Sequence, residues 1–260
     1  MLDVSLLKKE FRQSIRTYRI LILAGVFLFF AFLDPFMNRF LLPLILAGQF
    51  PELPTEMLEG FLVNTQRANI RAYMGDLFEI GTLTIAFTLS GLLAAEIRDR
   101  TLIFSVCSGK RLGQVVTAKL LVYGALLMLL SIAATGINAL YAGLLFSFEI
   151  TSLGAILKAG MLQGLFFIYL LSALLFFGAM VPRPIPAALL GLAMVYVPSL
   201  LGGLLNIERF LPSILLSEAS MLTWKSNGSY LPGLIVSLAC ILLFWLGSIL
   251  VLRHRELSRG

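Results

Sequence analysis

Glu96–Lys119 reads EIRDRTLIFSVCSGKRLGQVVTAK and lies between two long apolar runs. Glu96, Arg98, Asp99 and Arg100 follow the run that ends near Ala95, and Lys110, Arg111 and Lys119 precede the next. Between them Thr101-Leu-Ile-Phe-Ser-Val106 is a short, apolar, helix-like stretch. It cannot cross a bilayer, whose ~30 Å hydrocarbon core takes about 20 helical residues. It is read as a loop helix lying at one membrane surface, within reach of a soluble partner.

The rest of the chain supplies the membrane. Of 260 residues, 59% are hydrophobic and 13% charged, and the mean hydropathy is +0.94. Soluble domains average about 45–50% apolar and about 25% charged. Six runs of spanning length are expected at approximately 18–38, 76–95, 119–146, 159–181, 185–205 and 231–252. No stretch is long and polar enough for a soluble domain, so 1–260 reads as one all-α membrane domain.

The net charge of +6 follows topology rather than nucleic-acid binding. Lys8, Lys9, Arg12, Arg16 and Arg19 precede the first span, and Arg98, Arg100, Lys110, Arg111 and Lys119 bound the loop after the second. Arg183, Arg253, Arg255 and Arg259 complete a set of fourteen among the 20 basic residues, all on one side if both termini are inside. That is the positive-inside pattern of a multi-pass cell-membrane protein with cytoplasmic termini. Cys107 and Cys240 are not expected to meet, and neither has neighbours at metal-ligand spacing. A cleaved signal peptide is not expected at Tyr18–Leu33, because no small-x-small site follows.

Residues 2–16 read as an amphipathic interfacial helix. Val4, Leu7, Phe11 and Ile15 share one face, and Lys8, Arg12 and Arg16 take the other, among the lipid headgroups; Lys8, Lys9, Phe11 and Arg12 are its candidate site residues. The alternative is a basic flank that only sets topology. Asp34-Pro35 predicts a kink or break at the outer end of the first span, because proline disfavours helix in the preceding residue. Phe36–Asp76 then reads as short amphipathic helices on the outer face, with Glu52, Glu56 and Glu59. Val181-Pro-Arg-Pro-Ile-Pro186 reads as a tight inner turn, and Asn206–Tyr230 as a second outer segment with a short helix near Leu215–Leu222. Asn227-Gly-Ser229 matches a glycosylation acceptor, too short a motif to carry weight.

Catalytic constellations are missing. His254, the single histidine, lies beyond the last span, which excludes a His-Glu-x-x-His zinc site and an intramembrane Ser-His pair. The phosphate loop G-x-x-x-x-G-K-[ST] is also missing: Arg111 follows Gly109-Lys110, and Phe occupies position 104. No metal or cofactor is expected in this chain. Intramembrane charge, which usually marks ion pathways, is nearly absent from the last four spans. Asn138 and Gln163 are their strongest polar groups, and Asp76 and Glu79 are expected to reach water at the outer end of the second span. Uphill movement of a solute would therefore draw on a separate ATPase pressing on the inner loop.

The chain resembles, over nearly its full length, the ABC-2 family of ABC-exporter permease subunits. An interfacial helix matches Leu6-Leu-Lys-Lys-Glu-Phe-Arg12, and a proline-containing outer end of the first span matches Leu33-Asp-Pro-Phe36. The family's E-x-x-x-G-T-L resembles Glu96-Ile-Arg-Asp-Arg-Thr-Leu102. Its P-[VI]-S-R-like turn and lysine resemble Ser108–Lys119, and Arg253-His-Arg-Glu-Leu257 is similar to its basic C-terminus. Arg100 replaces the usual Gly, Gly109 the usual Pro and Leu112 the usual Arg.

The resemblance implies six transmembrane helices after an interfacial helix, in a type V exporter-like architecture. It implies a coupling helix over Arg98–Ser108 that docks on a separate ATP-binding subunit, where ATP and Mg would bind. Glu96, Arg98, Asp99, Arg100, Thr101, Leu102, Ile103, Val106 and Arg111 are its candidate contacts. The bland reading is a loop helix with no partner. A homodimer, or a dimer with a homologous permease, is implied, with the first and fifth spans at the seam. In the fifth span, Ala187/Gly191 and Ser199/Gly203 allow close approach, though packing within one chain serves each pair equally. Other readings are a membrane-embedded enzyme or lipid-binding protein using the outer segments, and an ion-coupled carrier.

Overall fold

The computed structural model describes residues 4–49, 65–102, 109–149, 152–205, 207–224, 228 and 230–257. Among the described residues there are helices and turns and no strand. Six helices are long and apolar enough to span a membrane: Arg19–Leu46, Gln66–Arg98, Leu112–Phe146, Leu153–Met180, Pro184–Leu205 and Leu231–His254. Their number and order match the six expected spans, and Val4–Arg16 forms a separate helix before them.

The helices outrun the apolar windows because polar residues cap and extend them. The second starts at Gln66, where the Thr65 hydroxyl accepts from the Ala68 N–H at 3.2 Å, an N-cap bond. At 33 residues and about 1.5 Å per residue it is roughly 50 Å long and overhangs the hydrocarbon. The third starts at Leu112, and Gln114 Oε1 accepts from the Arg111 N–H at 3.1 Å. Leu42–Gln49 continues the first span and Gln66–Asp76 opens the second. Much of the segment expected as outer helices therefore belongs to the spans. Glu52, Glu56 and Glu59 lie outside the described residues.

Of the kink or break expected at Asp34-Pro35, the break does not occur. The helix runs through Pro35 and passes into a π-helical turn, Met37–Leu41. Proline has no N–H, so the carbonyl four residues earlier, Ala31, loses its helical donor. Asn138 of the third span supplies one: its Nδ2 lies 3.0 Å from Ala31 O. Pro198 sits inside the fifth span in the same way, and the Tyr169 hydroxyl donates to the freed Met194 carbonyl at 3.0 Å. A second π-helical turn, Leu77–Gly81, interrupts the second span, and the Tyr196 hydroxyl donates to its Phe78 and Glu79 carbonyls at 3.2 and 3.0 Å. Neighbouring helices thus donate to backbone carbonyls at these three places, as suits a membrane interior.

The fourth span is the axis of the bundle. It is 72% buried, against 17% for the sixth, and packs on the second, third, fifth and sixth spans. The third and fourth spans meet backbone to backbone. A Cβ at Gly160 would stand 2.8 Å from Ile132 Cα, and one at Gly164 3.0 Å from Met128 Cα. Glycine permits that approach. At the end opposite Val4–Arg16, the helix Ile214–Ser220 is pinned across the bundle. Lys158 reaches Glu218 at 2.7 Å, and Arg71 Nε donates to Ser220 O at 2.8 Å.

Candidate functional site at the basic end of the bundle

Val4–Arg16 has three faces, one more than the expected two. Val4, Phe11 and Ile15 are exposed on the apolar face. Lys8, Lys9 and Arg12 are exposed on the basic face and line a shallow hollow with Ser5, Gln13 and Arg16. Leu6, Glu10 and Ser14 form the third face, buried against the third and first spans. Glu10 is the one acid in this helix, and it points inward.

Its partner is Lys119, which is fully buried. Lys119 Nζ lies 2.9 Å from Glu10 Oε2, 3.1 Å from Glu10 Oε1 and 2.7 Å from Glu96 Oε1. One ammonium thus ties the amphipathic helix to the end of the second span and the start of the third. Burying these charges is unfavourable, and their attraction and hydrogen bonds offset that cost only while all partners stay in place. The sequence reading treated Lys119 as a boundary marker and missed Glu10. The available signal was a lone acid in a basic helix.

The loop leaves this anchor through a defined stop. The Thr101 N–H bonds Glu96 O at 3.0 Å, and the Arg100 N–H bonds Ile97 O at 3.3 Å. That is the Schellman pattern, with Arg100 at the left-handed position; its φ is +57°. The Arg98 guanidinium donates to Asp99 at 2.8 Å and holds that exposed carboxyl below its ordinary range. Arg98, Asp99, Arg100, Thr101 and Arg111 are exposed, whereas Glu96 is half-buried. Leu102 packs partly against the protein's own core. Ile103 and Val106 lie outside the described residues. Gly109 has a φ of +75°, a backbone that the family's proline could not adopt.

The fifth-span residues separate into two groups. Ala187 and Gly191 are buried within the chain, and Gly191 faces Leu174 of the fourth span. Ser199 lines a groove with Arg71, Phe78, Ser213 and Ser217, and Gly203 is exposed.

At the far end, Glu79 is exposed as expected. Asp76 is half-buried, and Asp34 of the first span is buried. Asp76 and Glu96 lie on one span, about 30 Å apart at about 1.5 Å per residue.

No protein-family model and no curated protein matches the chain.

Proposed function

We propose that the chain is the transmembrane subunit of an ATP-driven ABC-2-type exporter, coupled through the 98–111 loop to a separate ATP-binding subunit. The single observation carrying this reading is the buried Glu10–Lys119–Glu96 cluster. A loop that only connects two spans needs no buried ion pair at its root. A loop that transmits force needs a rigid one, joined to the elements it must move. Here a push on the loop reaches the amphipathic helix and the second and third spans together.

The left-handed Arg100 adds support, since that backbone suits the glycine found in the family motif. The positive-inside pattern supports a cytoplasmic setting for this end. ATP and Mg belong to the partner subunit. The exposed faces of the first and fifth spans, with Gly203, are surfaces that a second permease copy would cover.

The test is co-purification with the candidate ATP-binding subunit. Leu102→Asp with Ile103→Asp abolishes the complex while the chain still inserts in the membrane; an unchanged complex removes the loop from the interface. The ion-coupled carrier reading draws on Asp34, a carboxylate buried in the first span. Solute uptake driven by a proton gradient in vesicles without any ATPase would establish it in place of the exporter.

A further inference from the structure

Three elements meet around a groove of about 270 Å³ at the end of the bundle opposite Val4–Arg16. Arg71, Gly75 and Phe78 come from the second span, Ser213 and Ser217 from the pinned helix and the residue before it, and Ser199 from the fifth span. Positions 71, 75 and 78 follow i, i+4, i+7 spacing, and 213 and 217 follow i, i+4, so each element presents one face. Arg71 Nε donates to Ser220 O at 2.8 Å, which fixes the guanidinium between the second span and the pinned helix.

Arg71 carries the charge of this groove. It forms no ion pair among the described residues, and its Nη groups stay available for a ligand. Glu218, the one acid of the pinned helix, is buried and held by Lys158 at 2.7 Å, so it does not offset Arg71. Ser220 Oγ is engaged at Ser217 O, whereas no hydrogen bond among the described residues engages the hydroxyls of Ser199, Ser213 and Ser217. Met74, Phe78 and Leu216 make the wall apolar. A Cβ on Gly75 would meet nothing within 4 Å, so the space beside Arg71 is open. Val197 and Leu200, on either side of Ser199, are exposed and apolar, so the groove borders surface that suits acyl chains.

We propose that this groove binds the headgroup of an anionic phospholipid. A planar guanidinium suits the oxygens of a phosphate, and three serine hydroxyls donate to phosphate or glycerol oxygens beside it. The apolar wall takes the first carbons of the chains. The cavity is too small for a whole lipid, and the tails then run along the exposed spans. The bound lipid ties the second span, the fifth span and the pinned helix together. The site needs no ATPase, so it stands or falls apart from the exporter reading.

Native mass spectrometry of the full chain, released from vesicles of phosphatidylglycerol and phosphatidylcholine in equal amounts, tests this. The readout is the phosphatidylglycerol lost in each variant, since lipid held by the basic helix Val4–Arg16 is common to all. Arg71→Gln and Gly75→Trp each lose one phosphatidylglycerol per chain and keep their phosphatidylcholine. Gly75→Trp fills open space and leaves Arg71 in place, so it decides the matter even if Arg71→Gln fails to fold. Arg67→Gln removes an exposed cation one turn outside the groove and loses none. Full retention in Gly75→Trp overturns the proposal, as does an equal loss in Arg67→Gln or a loss that ignores the headgroup. Displacement of the lipid by excess inorganic phosphate overturns it in favour of a free-anion site. A gain of lipid on replacing Glu52, Glu56 and Glu59 together with Gln also overturns it, and would make the chain's own acids the occupant.

Discussion

Asn138 Nδ2 donates to the Ala31 carbonyl at 3.0 Å, and Ala31 stands four residues before Pro35, whose missing N–H leaves that carbonyl free. The amide therefore serves the backbone of a neighbouring span rather than a solute. Replacing Asn138 with Leu strands a buried carbonyl, at a cost of about 1–3 kcal/mol. In a Pro35→Ala background the helix closes its own bond and most of that cost vanishes. Unfolding of the two single variants and the double variant in mixed micelles measures the coupling. Additive effects would show that Asn138 acts elsewhere.

Arg100 occupies the left-handed position of a Schellman stop, with a φ of +57°. A side chain there costs roughly 1–2 kcal/mol that glycine avoids. Arg100→Gly is expected to tighten the end of the second span. Amide exchange at Thr101, whose N–H bonds Glu96 O, should slow by about tenfold for each 1.4 kcal/mol gained. Faster exchange would mean that the arginine side chain holds the turn.

Hydropathy was enough to find six spans, because apolar length is a local property. The helix ends were less legible. Polar first turns such as Gln66–Arg71 look like loop until the cap at Thr65 is known. Pro35 misled for a related reason: the rule that proline breaks helices assumes that water or a turn takes the freed carbonyl, and here Asn138 does so from another span. The loop could be read as a charged surface segment. Its anchor could not, since Glu10 and Lys119 are 109 positions apart and pair only through packing.

Gly160 and Gly164 place the fourth span directly on the backbone of the third. Adding a methyl group at either position meets Ile132 or Met128 main-chain atoms. Gly160→Ala should destabilise by about 1–3 kcal/mol, the range for overpacking, and Gly160→Leu should leave little folded protein. Gly136 has open space around its Cβ position, so Gly136→Ala serves as the tolerated control. Equal behaviour of the two alanine variants in thermal melts would place the close approach elsewhere.

Lys119 carries the strongest expectation for function. Lys119→Met leaves Glu10 and Glu96 buried without their cation, and breaking a buried pair in this way costs about 3–5 kcal/mol. Glu10→Gln should cost less, because Lys119 keeps Glu96 at 2.7 Å. The triple replacement Glu10→Met, Lys119→Met and Glu96→Met removes all three charges, and much of the lost stability should return, since apolar substitutes often match a buried ion pair. Stability and coupling then come apart. If the cluster transmits force, the triple variant melts close to wild type and still binds its ATP-binding subunit, yet the hydrolysis rate of the complex no longer responds to the permease. If the cluster is only structural, the triple variant couples as well as it folds. Measuring melting, complex formation and ATP hydrolysis on the same three variants separates the two.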